Sequence, residues 1–268
     1  MQHRAGLQAR ELPRVPRDWQ DPCAATPVPD PGVIRPVLIL QHFGAGRPGY
    51  FAEVLARRGL ASEIVQVGDG APVPVPDDLR RWSALCLMGG PQHVYDGQAW
   101  IQDELQFIRA AQDANVPIVA HCLGAQLVSA ACGGKVRRAA QPEIGWHPVH
   151  RAENPSAQQW LSGLAETVHV FQWHEDRFEL PDGATRLLVG DDCPEQAFLL
   201  GRTLAMQFHV EITPAIVREW LDLGVDRLPP PSASVQSVAT ILAGTWDQIA
   251  ASTRLAEHLY DRWFATWT

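Results

Sequence analysis

The sequence predicts an α/β fold: a mostly parallel sheet with helices on both faces, plus a small antiparallel side sheet. Three observations carry this. From Val33 onward, short apolar runs alternate with segments of helical period, the mark of parallel strands covered on both faces. Beyond Gly133-Gly134 the rhythm changes to closely spaced strand-like runs, which suits antiparallel pairing. The chain has 268 residues, 46% of them hydrophobic, enough for one sizeable core and common for a single α/β domain.

In chain order, residues 1–35 come first and are rich in proline (Pro13, Pro16, Pro22, Pro27, Pro29, Pro31). Proline denies the backbone regular ladders, so an extended or disordered arm is expected there, with the folded domain over residues 36–268. Val37 to Leu40 is the first strand, Tyr50 to Arg58 a helix, Glu63 to Val67 a second strand and Ala84 to Met88 a third. Over Trp100 to Ala114, Ile101, Leu105 and Ile108 fall on one face of a helix. Val116 to Ala120 is a fourth strand, its Pro117 near the start, where a missing donor is tolerated. A helix follows Cys122 and ends near Gly133-Gly134, glycines being able to take the left-handed cap. Val136, Gly145 to His150, Thr167 to Phe171, Thr185 to Val189, Gln196 to Leu200 and Leu204 to Phe208 read as strands. Pro214 to Leu223 is a helix, Pro229-Pro230-Pro231 breaks the chain, and Val235 to Trp263 supplies one or two closing helices.

Composition excludes several functions. A net charge of -8 and pI near 5.6 give no clustered basic footprint, so neither nucleic acid nor anionic lipid is an expected partner. No stretch approaches the ~20 apolar residues of a membrane span. Five cysteines, at 23, 86, 122, 132 and 193, lack metal-type pairing and suit a reduced, cytoplasmic enzyme. The histidines, including His42, His93, His147 and His169, show no zinc spacing, so no metal is expected. Gly44-Ala45-Gly46 lacks the end of a P-loop and the spacing of a dinucleotide fingerprint, and no cofactor is expected.

Three segments carry chemistry. In Ala120-His121-Cys122-Leu123-Gly124, small residues stand two before and two after a cysteine at a strand-to-helix turn, as a nucleophile elbow needs. The helix N-terminus there favours thiolate. Taken alone, Cys122 reads more readily as a small buried hydrophobe, and it is the surrounding segments that turn the reading. Gly89-Gly90-Pro91 follows the third strand, which in a parallel sheet lies beside the carboxyl end of the fourth, so the N–H groups of Gly90 and Leu123 are the natural oxyanion donors. In Gln207-Phe208-His209-Val210-Glu211, extended backbone puts His209 and Glu211 on one face roughly 6.6 Å apart, within reach of a carboxylate–imidazole bond. That gives an acid–histidine–nucleophile relay: Cys122 as nucleophile, His209 as acid/base and Glu211 orienting the ring.

With Met88-Gly89-Gly90-Pro91, Cys122-Leu123-Gly124-Ala125-Gln126 and Gln207-Phe208-His209-Val210-Glu211 in this order, residues 35 to 225 resemble the class I glutamine amidotransferases, especially free-standing proteins similar to the amidotransferase half of GMP synthase. The resemblance implies a flavodoxin-like fold with Cys122, His209 and Glu211 as the triad. It implies too that Gln126 helps hold substrate, and that Gln172-Trp173-His174-Glu175-Asp176 matches a substrate-facing loop, which makes His174 and Asp176 candidates. Four departures stand out. Ala120 replaces a usual glycine, His121 an aliphatic residue and Val210 a usual proline; Glu175 also stands where a glycine is expected. His121 can either pack or enter the site.

The reaction implied is attack of Cys122 on the γ-carbonyl of glutamine or a related γ-glutamyl amide, through a γ-glutamyl thioester that water resolves. Because the chain carries no recognisable synthetase domain, an amidotransferase role needs a separate synthetase subunit to receive ammonia. One alternative is a γ-glutamyl peptidase, which free-standing relatives include. Another is a catalytically inactive protein that binds an amino acid or a partner in the same crevice.

Overall fold

The computed structural model describes residues 35–267, so the arm expected over residues 1–35 lies, apart from Arg35, outside the described residues. Five strands form the parallel part of the sheet: β1 (Val37–Gln41), β2 (Ser62–Gln66), β3 (Ala84–Leu87), β4 (Ile118–His121) and, from far along the chain, β9 (Thr203–Met206). Their order is β2-β1-β3-β4-β9. Because side chains alternate along a strand, β1 feeds two cores at once. Val37 and Ile39 pack with Phe51, Val54 and Leu55 of α1 (Gly49–Arg57) and with Leu255, Leu259 and Trp263 of α6 (Val238–Phe264). Leu38 and Leu40 face Ile101, Leu105 and Ile108 of α2 (Ala99–Asp113) and Leu127 and Val128 of α3 (Leu123–Ala131). Full burial of one such side chain contributes about 1.5–3 kcal/mol, which explains why β1 is apolar from Val37 to Leu40 and not alternating, whereas the edge strand β2 alternates in exposure.

The antiparallel strands β5 (Val136–Arg151), β6 (Thr167–Phe178), β7 (Thr185–Val189) and β8 (Ala197–Leu200) continue this sheet. Strand β9 is the joint, paired parallel to β4 on one side and antiparallel to β8 on the other, giving, among the described residues, nine strands in the order β2-β1-β3-β4-β9-β8-β7-β5-β6. The two segments expected at Val136 and Gly145 to His150 are one long strand with an irregularity between Arg138 and Glu143. It pairs with β6 from Val136↔Phe178 to His150↔Thr167. The stretch Gln172 to Asp176, expected as a loop, is strand: it lies within β6, held by Glu143↔His174 and Arg138↔Asp176 pairing. A short helix α4 (Pro155–Trp160) joins β5 to β6, capped by Asn154, whose side chain accepts the Ala157 N–H at 2.9 Å. Helix α5 (Pro214–Gly224) follows β9, and the closing segment is the single helix α6. No helix among the described residues is long and apolar enough to cross a membrane.

Candidate active site

The parallel strands end together, and the turns that leave them bring the predicted residues to one edge of the sheet. Cys122 follows β4 directly and has φ 49° and ψ -109°, a left-handed conformation that costs a non-glycine residue roughly 1–3 kcal/mol. Its surroundings hold it there. The Cys122 amide donates to the Met206 carbonyl (2.8 Å), extending the β4–β9 ladder, while the Cys122 carbonyl accepts the Gln126 N–H (3.0 Å) of the helix that begins one residue later. The Gly124 amide donates to Met88 O at 3.1 Å, and a Cβ on Gly124 would lie 2.4 Å from the Leu87 carbonyl oxygen. Glycine is therefore required for α3 to approach β3 this closely, and the sharp turn at Cys122 follows from that approach.

His209 comes from the segment just beyond β9. Regular strand stops at Met206, and one isolated bridge, the His209 amide to Phe171 O (2.9 Å), fixes the position of the ring. Glu211 accepts from His209 Nδ1 at 2.6 Å, with both side chains almost fully buried. Trp220 of α5 packs edge-on to the imidazole, with ring centroids 4.8 Å apart at 81°. A Cβ at residue 89 would stand 2.8 Å from His209 Cε1 and 3.4 Å from Cys122 Cβ, so glycine there leaves the space in which ring and cysteine meet. The sulfur lies 3.8 Å from the Trp173 carbonyl, and it acts on the His209 imidazole both by hydrogen bonding and by charge.

Charge follows from burial and partners. Burial works against an imidazolium at His209, but the Glu211 carboxylate and the Cys122 sulfur overcome it and push the ring up to about 10. Burial likewise opposes charge on Glu211, and His209 and then His121 outweigh it, holding the carboxyl below its ordinary value. His121 is depressed by burial. It does not enter the site: its ring packs between Phe51 and Tyr260, Nε2 lies 2.9 Å from the Tyr260 hydroxyl, and the nearest oxygen of Glu211 is 3.9 Å off.

A cavity of about 510 Å³ opens on this edge. Of the predicted site residues, Cys122, His209, Gly90, Gln126, His174 and Asp176 line it, while Glu211 and Leu123 stand behind the lining. The Leu123 N–H is the first of α3 and has no intrahelical acceptor. Gln126 Nε2 and His174 Nδ1 both donate to the Asp176 carbonyl, at 3.1 and 2.9 Å. The Asp176 carboxylate receives His93 Nδ1 (2.7 Å) and the Tyr95 hydroxyl (2.8 Å), which ties β6 to the segment after Gly89-Gly90-Pro91. Glu175, the bulky departure, turns to the rim and pairs with Arg138.

Several lining or supporting residues were not anticipated. Gln207 reaches within 3.9 Å of the Cys122 sulfur, and Trp173, Trp220, Leu223 and Leu228 make an apolar wall. His42 and Glu104 pair beneath the Gly89-Gly90-Pro91 turn. Gln207 had a signal, since it opens the segment that holds His209; His42 and Glu104, 62 residues apart, had none. Among the described residues, Glu143, His174 and Cys193 could hold a metal ion, with ligand atoms within 4.8 Å of one another. Each already has a protein partner: Glu143 Oε2 accepts from His174 Nε2 and Gln196 Nε2, each at 2.9 Å, the Cys193 thiol donates to the Glu195 carbonyl at 3.7 Å, and burial followed by Glu143 pushes that thiol up to about 12.

The fold is that of the flavodoxin-like α/β amidotransferases, with a cysteine elbow facing a histidine–carboxylate pair at the carboxyl edge of the sheet. Residues 50–220 match the family model described as glutamine amidotransferase class-I, and the chain belongs to that family. Among solved structures, a glutamine amido transferase from Methylobacillus flagellatus superposes with a TM-score of 0.83 at 33% identity, covering 87% of this chain and 96% of that one. A glutamine amidotransferase from Thermotoga maritima, at 23% identity and TM-score 0.76 over 85% of this chain and 97% of that one, shares the fold. Among curated proteins, the glutamine amidotransferase-like protein YfeJ of Salmonella typhimurium is 26% identical over 65% of this chain and 77% of its own length. The GMP synthase of Synechococcus sp. CC9311 is 30% identical over 68% of this chain, but the match spans only 33% of that enzyme.

Proposed function

We propose that the chain is a cysteine hydrolase of γ-glutamyl amides, with Cys122 as nucleophile, His209 as acid/base and Glu211 as the carboxylate that orients and charges the ring. The observation that carries this reading is the buried 2.6 Å bond from His209 to Glu211 with the same imidazole held charged beside Cys122. Proton transfer and attack follow from it. The thiolate adds to the γ-carbonyl, and the oxyanion formed is met by the N–H groups of Gly90 and Leu123, a contribution of roughly 3–4 kcal/mol per donor. His209 passes its proton to the leaving amine, leaving a γ-glutamyl thioester on Cys122; neutral His209 then takes a proton from water, whose hydroxide attacks the thioester and releases glutamate. Gln126, His174 and Asp176 shape the end of the cavity that receives the amino-acid part of the substrate. The step needs no cofactor. In this reading ammonia passes to a separate synthetase subunit.

One observation favours a second reading, cleavage of γ-glutamyl peptides. At about 510 Å³ the cavity falls in the range that takes drug-sized ligands, and its Trp173, Trp220, Leu223 and Leu228 wall offers an amine larger than ammonia an apolar surface. Incubating the purified chain with glutamine and with γ-glutamyl dipeptides tests both. Glutamate from glutamine supports the first, glutamate from the dipeptides alone supports the second, and release from neither in a chain whose Cys122 is reduced contradicts the hydrolase itself.

A further inference from the structure

The turn that presents Gly90 rests on a charged pair that the relay does not use. His42 follows β1, fully buried, and both of its ring nitrogens meet oxygen. Nδ1 donates to the Met88 carbonyl at 2.8 Å, and Nε2 lies 3.0 and 3.1 Å from the two oxygens of Glu104, itself fully buried on α2. Trp100 stacks on the ring, with centroids 5.5 Å apart at 24°. Both ring nitrogens face oxygen, and although burial works against charge on the ring, Glu104 and the Met88 carbonyl outweigh it and raise His42 above its ordinary value, which favours N–H on both sides. A buried ion pair of this kind gives little net stability compared with apolar packing, so its effect is to be sought in what it positions.

Its contacts bracket the turn. Met88 O, which accepts from His42, also accepts the Gly124 amide at 3.1 Å, so one carbonyl ties the end of β3 to His42 and to the helix that begins beside Cys122. On the other side of the turn, Gln92 Nε2 donates to the His42 carbonyl at 2.9 Å. Gly90, between these anchors, lies against His42: a Cβ on residue 90 would stand 2.8 Å from His42 Cβ and 2.9 Å from Leu123 Cδ2. Residues 88–92 are thus fastened to His42 through the Met88 carbonyl at one end and the Gln92 side chain at the other, and Glu104 holds the His42 ring that makes the first of these bonds.

We infer that His42 and Glu104 are positioning residues for the oxyanion donors, holding the Gly90 N–H at a fixed place relative to Leu123 and Cys122. The inference rests on the hydrolase reading above. An N–H aimed at an oxyanion stabilises only the charge that develops during attack, so loosening it should lower kcat and leave KM nearly unchanged. The nucleophile does not depend on this pair, so thiol chemistry at Cys122 should survive. That separates positioning from general damage to the fold, which would disturb both.

The test uses the full chain and whichever γ-glutamyl amide the wild type turns over. His42→Leu is expected to lose roughly 100-fold in kcat, the scale of a misplaced catalytic group, with KM within about threefold. Alkylation of Cys122 by iodoacetamide, read by mass spectrometry of the Cys122 peptide, should stay within about threefold of wild type. His42→Asn, whose Nδ2 can donate to Met88 O as Nδ1 does, should recover about tenfold of the lost kcat. Glu104→Met, which removes the acceptor from Nε2 and leaves the ring in place, should lose roughly tenfold and serves where His42→Leu does not fold. Folded His42→Leu or Glu104→Met protein with wild-type kcat overturns the inference, as does a kcat loss matched by an equal loss of Cys122 alkylation. A wild-type chain that turns over nothing sinks the hydrolase reading and this inference with it, whereas active wild type with indifferent variants sinks this inference alone.

Discussion

Replacing Glu211 by glutamine tests the electrostatic centre of the site. The amide can still accept a bond from His209 Nδ1, now 2.6 Å from the carboxylate, but it brings no charge. In the native chain the ring rises from an ordinary 6.5 to about 10 against the pull of burial. At ~1.4 kcal/mol per tenfold ratio, that gap is about 5 kcal/mol of preference for imidazolium, with Glu211 the first of the partners that supply it. Without the carboxylate only the Cys122 sulfur is left to oppose burial, and His209 should fall from about 10. The thiolate then loses its counter-ion near neutral pH, and the expected fall in kcat is on the order of 10⁴-fold, as for an orienting carboxylate made an amide in such a relay. The assay is the rate of iodoacetamide alkylation of Cys122 as a function of pH. Wild type should react readily at neutral pH, and the variant should react markedly more slowly there. Superimposable profiles would refute the reasoning. Stability gives a second readout: a raised folded value means stabilisation fully present below 6.5 and lost as pH climbs through about 10, and Glu211→Gln should remove that alkaline loss.

Other expectations follow from single contacts. Gly89→Ala puts a Cβ 2.8 Å from His209 Cε1, so the ring must shift; thermal melting should show a loss of about 1–3 kcal/mol, and kcat should fall by roughly 100-fold. His121→Phe leaves the Tyr260 hydroxyl without its 2.9 Å partner, and urea unfolding should show about 1–3 kcal/mol of destabilisation with KM unchanged, because residue 121 does not line the cavity. Asp176→Asn weakens the grip on His93 and Tyr95 at the substrate end; steady-state kinetics should show KM rising about tenfold, and an unchanged KM would remove Asp176 from the substrate site.

The parallel half of the fold was legible because β1, β3 and β4 are buried on both faces and written in unbroken apolar runs, such as Val37 to Leu40 and Ala84 to Leu87. The region around Gln172 to Asp176 was not. Its inward residues are His174 and Asp176, polar because they face hydrogen-bond partners and a cavity, so the alternation that marks a strand is missing from a stretch that is one. Strand β5 hides for a related reason, since the irregularity between Arg138 and Glu143 breaks its alternation. Cys122, His209 and Gly90 could be found because each stands at the end of an apolar run inside a short segment of small or polar residues. His42 and Glu104 could not, because a pair joined only through tertiary structure leaves no periodic trace. His121 was correctly singled out as unusual, but whether it faced the site depended on Phe51 and Tyr260, a helix near the start and a helix near the end of the chain.

The central claim is that carbon–nitrogen cleavage passes through a covalent bond to one sulfur. Rapid acid quenching of wild type during turnover of a γ-glutamyl substrate, followed by mass spectrometry of the Cys122 peptide, reads this directly. The account predicts one γ-glutamyl group on Cys122 that disappears on further incubation and is never seen with Cys122→Ala. Turnover by Cys122→Ala, or a γ-glutamyl group carried on another residue, would contradict it.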